Sequence, residues 1–463
     1  MSGAGEAVLG SQPEKASAGG APWSAEQAER YLLGLERFGM HFGLEKMRRL
    51  MGALGSPHER FASIHVVGTN GKSSTTRMIA AILERHGVHS GSYTSPHLVS
   101  FTERIQVGER DLADERFGLA VQRVADAAAG VDAATGADGD PVTQFEALTA
   151  AAYAELAAAG VDVGVIEAGL GARYDATSVI DPRVTVLTNI GLEHTAWLGE
   201  TIAAIAGEKL AVVSPGGVLV VGAGLHADAL AVARSIAAER GARVVEAPAT
   251  LVAGIRLGAR GDYQRRNFAL AIAAAEAYLG APLDAQGVSR AGAELVVAGR
   301  FEVLVDLPSR AGGRTVGARP GSARSPAAGG GRAVTLLDGA HNPAGIDALV
   351  ESLPAFLDGR RLCAVVSILD DKDARSMLGA LLPLCERVIC TTASNPRAVP
   401  ADALAAVARD VLGPRAAAVE VEVDPRRAVG LGRELVPGGV VVVTGSIYLI
   451  SDVVRGSRPG STL

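Results

Sequence analysis

The stretch Val66-Val67-Gly68-Thr69-Asn70-Gly71-Lys72-Ser73-Ser74-Thr75 constrains this chain more than any other. Phe61 to Val67 is apolar enough for a buried strand, and Thr76 to Arg85 reads as a helix. Strand, glycine-rich turn, lysine, hydroxyl and helix form a seat for a nucleotide phosphate. Glycines let backbone N–H groups converge on the anion, and the helix N-terminus adds partial positive charge. Lys72 would reach the terminal phosphates, and a nearby hydroxyl would sit beside Mg²⁺. The spacing is G-x-x-G-K-[ST], tighter than the common phosphate loop. The plain alternative is a βα turn with a surface lysine.

A chain of 463 residues exceeds what one core usually holds, which predicts two domains. Apolar residues make up 48% and charged ones 20%, so a sizeable core is available. The net charge of −6 argues against nucleic acid or an anionic membrane as main partner. Three cysteines, Cys363, Cys385 and Cys390, are too few for a disulfide framework and fit a reducing cytoplasm. Residues 1–22 read as a disordered tail without the pattern of a signal peptide.

Strands alternate with helices along the chain, which predicts an α/β fold with a doubly wound parallel sheet. Ser24 to Gln27 is a capping box opening a helix to about Arg37. Arg104 to Arg110 alternates and turns like a hairpin. Asp114 to Ala129 reads as helix and Gly130 to Asp140 as loop. The first domain is expected over 23–297. A second, smaller α/β domain is expected over 298–463, interrupted by a flexible insert at 308–332 built of Gly, Arg, Ser, Ala and Pro. Ligands in such sheets sit at the carboxyl ends of strands.

The chemically interesting residues fall at those ends. Glu167 ends an apolar strand, where a phosphate-loop protein needs a carboxylate for Mg²⁺; otherwise it is an exposed strand-end acid. His194 follows another strand and is either a metal ligand or structural. Lys209 reads locally as half of a surface ion pair. It would matter only if desolvated and carbamylated, which turns a cation into a metal-binding carboxylate. Arg300 stands at the domain junction, able to clamp phosphate or to pair with a carboxylate. Asp338 and His341 end a strand ahead of Pro343, and Asp338 could simply cap the following helix.

Together these stretches resemble the folylpolyglutamate synthase/dihydrofolate synthase branch of the Mur ligase superfamily, from about Leu32 to the last strand and helix. The matching motifs are Gly68-Thr69-Asn70-Gly71-Lys72, Tyr93 to Leu98 with Glu103-Arg104-Ile105, Glu167 through Asp175, Asn189-Ile190-Gly191 with His194, Glu208-Lys209, Asn267, Gly299-Arg300-Phe301 and Asp338 to Pro343. The resemblance implies an ATP-dependent ligase. Thr69, Asn70, Gly71, Lys72, Ser73, Ser74, Asn267, Arg300 and Asp338 would hold ATP. Ser95, Glu167, His194 and carbamylated Lys209 would serve two Mg²⁺ ions. Lys72, Lys209 and His341 would be catalytic. Phe42, Gly43, Leu44, Phe145, Glu146, Arg173, Tyr174 and Asp175 would face the folate.

The reaction implied is joining of L-glutamate to dihydropteroate and to folate γ-carboxylates by a monomeric cytoplasmic enzyme. The sequence departs from the family at Ser73, Ala172 and Tyr174, and at Glu193, where an aspartate is usual. The alternatives are a folylpolyglutamate synthase only, or a Mur-type ligase for another carboxylate. About 65 residues precede Gly68, too few for the extra domain of a peptidoglycan ligase. A phosphate-loop kinase would lack the second domain, and an inactive binding protein would lack the charged residues.

Overall fold

The computed structural model describes residues 21–35, 43–135, 140–304 and 333–455. The tail at 1–20, Phe42 and the insert at 308–332 lie outside them.

The first sheet contains β1 (Ala62–Val67), β2 (Ser90–Tyr93), β3 (Ile105–Val107), β4 (Arg110–Asp111), β5 (Val163–Glu167), β6 (Val184–Leu187), β7 (Val218–Gly222) and β8 (Arg243–Ala247). Its order is β4-β3-β2-β5-β1-β6-β7-β8. From β2 to β8 all neighbours are parallel, and β3 and β4 add the expected hairpin as an antiparallel edge. β1 lies between β5 and β6, and Ile64, His65, Val66 and Val67 are fully buried there. Burial on both faces is what a parallel sheet covered by helices demands.

The helix Lys72–Glu84 packs on Asp262–Leu279. Ala269, Ala271, Ala273, Ala274 and Ala275 keep the second helix thin enough for close approach. On the other face Tyr93, Phe117 and Tyr153 fill a separate core.

The second sheet contains β9 (Glu302–Leu304), β10 (Val334–Leu337), β11 (Leu362–Val366), β12 (Arg387–Cys390), β13 (Val419–Val421) and β14 (Val440–Thr444). Its order is β13-β12-β11-β14-β10-β9, parallel except for β9. Two sheets, each with its own core, give the two-domain α/β architecture. The three cysteines are free and buried. Among the described residues, no helix is long and apolar enough to cross a membrane.

Three local expectations are corrected. The helix after the phosphate loop begins at Lys72 rather than Thr76, because Gly71 (φ 82°) already serves as its N-cap. The helix from Asp114 runs through Gly130 to Thr135. Val131 is buried, and Asp132 accepts the Val142 N–H at 3.0 Å, which outweighs the roughly 1 kcal/mol that glycine costs a helix. The helix Pro343–Leu357 is capped by Asn342, whose Oδ1 accepts from Gly345 N at 2.8 Å, so Asp338 is free for another role.

Candidate active site

A cleft of about 710 Å³ runs along the carboxyl ends of the first sheet and is closed by the second domain. The phosphate loop is its floor. Gly68 has φ 143°, and a Cβ there would lie 1.9 Å from Thr188 Oγ1. Gly71 would bring its Cβ 2.5 Å from Asn267 Oδ1. No other residue fits these positions. The loop is tied to the segment after β6. Asn70 N donates to Asn189 Oδ1 at 2.8 Å, Gly191 N to Thr69 Oγ1 at 3.0 Å, and Thr188 Oγ1 to Asn70 O at 2.7 Å. Lys72 Nζ folds onto the loop, donating to Gly68 O at 3.1 Å and Thr69 O at 3.0 Å.

Register delivers the acid. Val66 of β1 pairs with Glu167 of β5, so the carboxylate emerges beside the loop. Glu167 is 2% exposed. Its Oε1 accepts from Ser73 Oγ and its Oε2 from Ser95 N, each at 2.9 Å. Burial pushes its carboxyl up; Lys72 and the two hydrogen bonds oppose that. Hard oxygen donors at Glu167 and Ser95 are the donor chemistry that suits Mg²⁺. Among the described residues, no three His, Cys, Asp or Glu side chains cluster as a ready-made metal cage. Any ion would therefore draw on Ser95 and on the nucleotide's own oxygens.

Lys209 is not a surface lysine. It is 3% exposed, and its Nζ donates to Gly68 O at 3.0 Å from behind the loop. Burial, helped by the charge of Lys72, lowers its amine to about 7. Its neighbour Glu208 pairs instead with Arg173, at 3.1 Å. Lys209 does not line the cleft.

His194 (φ 50°) sits in the left-handed region at the cap of Thr195–Leu198. Its Nε2 lies 3.3 Å from Glu193 Oε1. The same oxygen lies 3.6 Å from Nε2 of His341, which belongs to the second domain. His341 Nδ1 donates to Gly339 O at 3.0 Å, fixing the ring so that Nε2 faces Glu193. Burial opposes ionisation of Glu193, yet both histidines and Lys72 hold its carboxyl far below the usual range. The sequence flagged Glu193 only as a departure, and its bridging of two domains is new from the structure.

The second domain and the junction supply the other wall. Asp338 is buried and accepts from Tyr263 Oη at 2.6 Å, Phe301 N at 3.0 Å and Ala340 N at 2.9 Å. Burial raises its carboxyl, opposed mainly by Tyr263 and Arg300. A Cβ at Gly339 would lie 2.0 Å from Arg300 Nη1, so the glycine leaves room for the guanidinium as it stands. Asn342 and Asn70 pair amide to amide across the cleft, at 3.1 and 3.2 Å. Asn267 Nδ2 donates to the buried Gln264 Oε1 at 3.0 Å, which turns the Asn267 oxygen toward Gly71. Tyr263 and Gln264 carried no sequence signal, since both read as ordinary helix residues.

The residues expected to face a folate divide. Phe145 lines the cleft, 6.3 Å from Tyr93 between ring centroids. Gly43, Leu44, Glu146, Arg173, Tyr174 and Asp175 do not line it. Glu146 closes a capping box with Thr143. Asp175 holds its own loop, accepting from Leu170 N at 2.9 Å and Thr177 N at 3.0 Å. Tyr174 is 48% exposed.

Residues 66–246 match the Mur ligase middle domain and residues 326–447 the Mur ligase glutamate ligase domain. The dihydrofolate synthase/folylpolyglutamate synthase of Mycobacterium tuberculosis is 34% identical over 406 residues, covering 80% of this chain and 78% of the relative. The chain belongs to the dihydrofolate synthase/folylpolyglutamate synthase family of Mur ligases. It is an ATP-dependent ligase. The solved M. tuberculosis folylpolyglutamate synthase complexed with ADP superposes with a TM-score of 0.81 at 31% identity, covering 94% of this chain and 99% of that one. Escherichia coli FolC in complex with DHPP and ADP gives 0.76 at 25% identity, covering 93% and 96%. Folylpolyglutamate synthase structures thus share the two-domain architecture around the cleft.

Proposed function

We propose that this ligase joins the amino group of L-glutamate to dihydropteroate, and to the γ-carboxylate of folates, through an acyl phosphate. One observation carries the reading. Phosphate loop, buried Glu167 and Ser95 from one domain share a single cleft with Asp338 and His341 from the other and Arg300 at the junction.

A carboxylate is a poor acyl donor because its leaving group would be oxide. Transfer of the ATP γ-phosphoryl converts that group to phosphate, and the glutamate amine then attacks the carbonyl. Thr69, Asn70, Gly71, Lys72, Ser73 and Ser74 would hold the ATP phosphates, with Lys72 leaving its loop carbonyls to offset charge on the transferring group. Asn267, Arg300 and Asp338 would hold the rest of the nucleotide. Mg²⁺ ions at Ser95, Glu167 and His194 would screen the phosphoryl oxygens. Carbamylated Lys209 would support the second ion, and a half-neutral buried amine is the chemical prerequisite. Phe145 would pack on the pterin-bearing substrate. His341, fixed by Gly339 O and Glu193, would act from the second domain, whose closure excludes the water that otherwise hydrolyses an acyl phosphate. The reading also places the protein as a monomer in a reducing cytoplasm, which suits three buried free thiols.

ADP release with dihydropteroate and with tetrahydrofolate, each with and without L-glutamate, tests the proposal. Release with both acceptors and only with glutamate is expected. Release that needs neither pterin nor glutamate overturns the ligase reading. Turnover of tetrahydrofolate alone narrows it to folylpolyglutamate synthase.

A further inference from the structure

Arg104 is the unexplained charge of the cleft. It ends the short 3₁₀ helix Phe101–Arg104, and its side chain lines the cavity with Ser95, Pro96 and Phe145. Its Nε donates to His97 Nδ1 at 3.0 Å, and its guanidinium lies 5.2 Å from the Phe101 ring centre. Tyr93 and Tyr448 are its other polar neighbours. No carboxylate among the described residues lies within ion-pair distance of Arg104. Glu167 acts on it only from farther away, and both Glu167 oxygens are already engaged by Ser73 and Ser95.

A partly buried guanidinium that donates to an imidazole and lies over a ring beside a cavity, with no carboxylate within ion-pair distance, is built to meet an anion. Its location decides which one. Across the sheet, the phosphate loop follows β1, and Asn267 and Leu270 lie on the β7 side of it. Arg104 lies on the opposite flank, where β2 ends, β3 begins and Phe145 stands. A nucleotide with phosphates on the loop and base toward Asn267 leaves that flank to the other substrates.

We propose that Arg104 is a carboxylate-binding residue, gripping a substrate carboxylate on the Phe145 side of the phosphate loop. The inference rests on the ligase reading above, whose pterin-bearing acid and glutamate both carry carboxylates. The planar fork matches a carboxylate bidentately, and His97 orients it by accepting from Nε. The source is either the pterin-bearing acid or the incoming glutamate.

Steady-state kinetics of the full chain, with ATP, reduced folate and L-glutamate varied in turn, tests this. Active wild-type protein establishes the ligase reading independently. Arg104→Gln is expected to raise KM for one carboxylate substrate roughly 10- to 100-fold while leaving KM for ATP within about 2-fold. Whichever KM rises names the source. Arg104→Lys, which keeps the charge and the fold, is expected to raise the same KM by less. If both carboxylate KM values stay at wild type in Arg104→Lys and Arg104→Gln, or if only melting temperature falls, Arg104 is structural and the inference is overturned.

Discussion

Lys209 shows how far residue chemistry depends on surroundings. By spacing it is half of a Glu-Lys surface pair. In the fold it is enclosed behind the phosphate loop, against Gly68 O and near Lys72. An ordinary lysine is neutral in about one molecule in 3,000 at pH 7, whereas one titrating near 7 is neutral in about half. Carbon dioxide reacts only with the neutral form. With ¹³C-bicarbonate, a carbamate resonance should appear at pH 8, fade below pH 6, and be missing in Lys209→Ala. The same variant should lose nearly all turnover, with short carboxylic acids restoring part of it; unchanged turnover would remove Lys209 from the mechanism. Glu193 works in the opposite sense. Its folded carboxyl titrates below the ordinary 4.5, so it stabilises the fold above that pH and the contribution disappears as pH falls toward the folded value. Glu193→Gln should therefore flatten the fall in melting temperature between pH 5 and 3. An unaltered acid limb would show that the two histidines do not hold this carboxylate.

Elements carry the part of the site that local rules make legible. Glu167 and Asp338 lie at strand ends as the sequence predicts, because an apolar run bounded by glycine or proline fixes where a buried strand stops, whereas His194 falls past the end of β6 at the cap of Thr195–Leu198. Register with their parallel neighbours delivers Glu167 and Asp338 to the cleft. Capping boxes at Ser24 and Thr143 are equally local and both form. What stayed hidden depends on distant partners. Whether Glu146 faces a substrate or closes its own cap cannot be read from Thr143-Gln144-Phe145-Glu146, since both uses need the same residue. Here the cap wins, with Lys46 3.8 Å from the carboxylate. Glu146→Ala should cost about 1 kcal/mol of stability and leave KM for the folate substrate unchanged. A tenfold rise in that KM at unchanged melting temperature would return Glu146 to the substrate site.

At the scale of the whole molecule, the dipeptide His341-Asn342 joins the domains at two points of the cleft. His341 faces Glu193 in the loop after β6, and Asn342 pairs with Asn70 inside the phosphate loop. Arg266 and Glu351, 2.8 Å apart at the cleft edge, make a further bridge, but both are exposed and contribute little. In the proposed mechanism, closing the second domain would therefore act directly on the glycine-rich loop. Asn342 has two jobs, capping its helix and holding Asn70, and one substitution separates them. Serine keeps the cap, since its hydroxyl can still accept from Gly345 N, but is too short to reach Asn70. Asn342→Ser should therefore melt close to wild type and still bind each substrate. Its turnover should fall about ten- to hundredfold, the cost of the two lost amide hydrogen bonds felt only in the closed state. Full turnover at unchanged melting temperature would show that closure does not act through the amide pair.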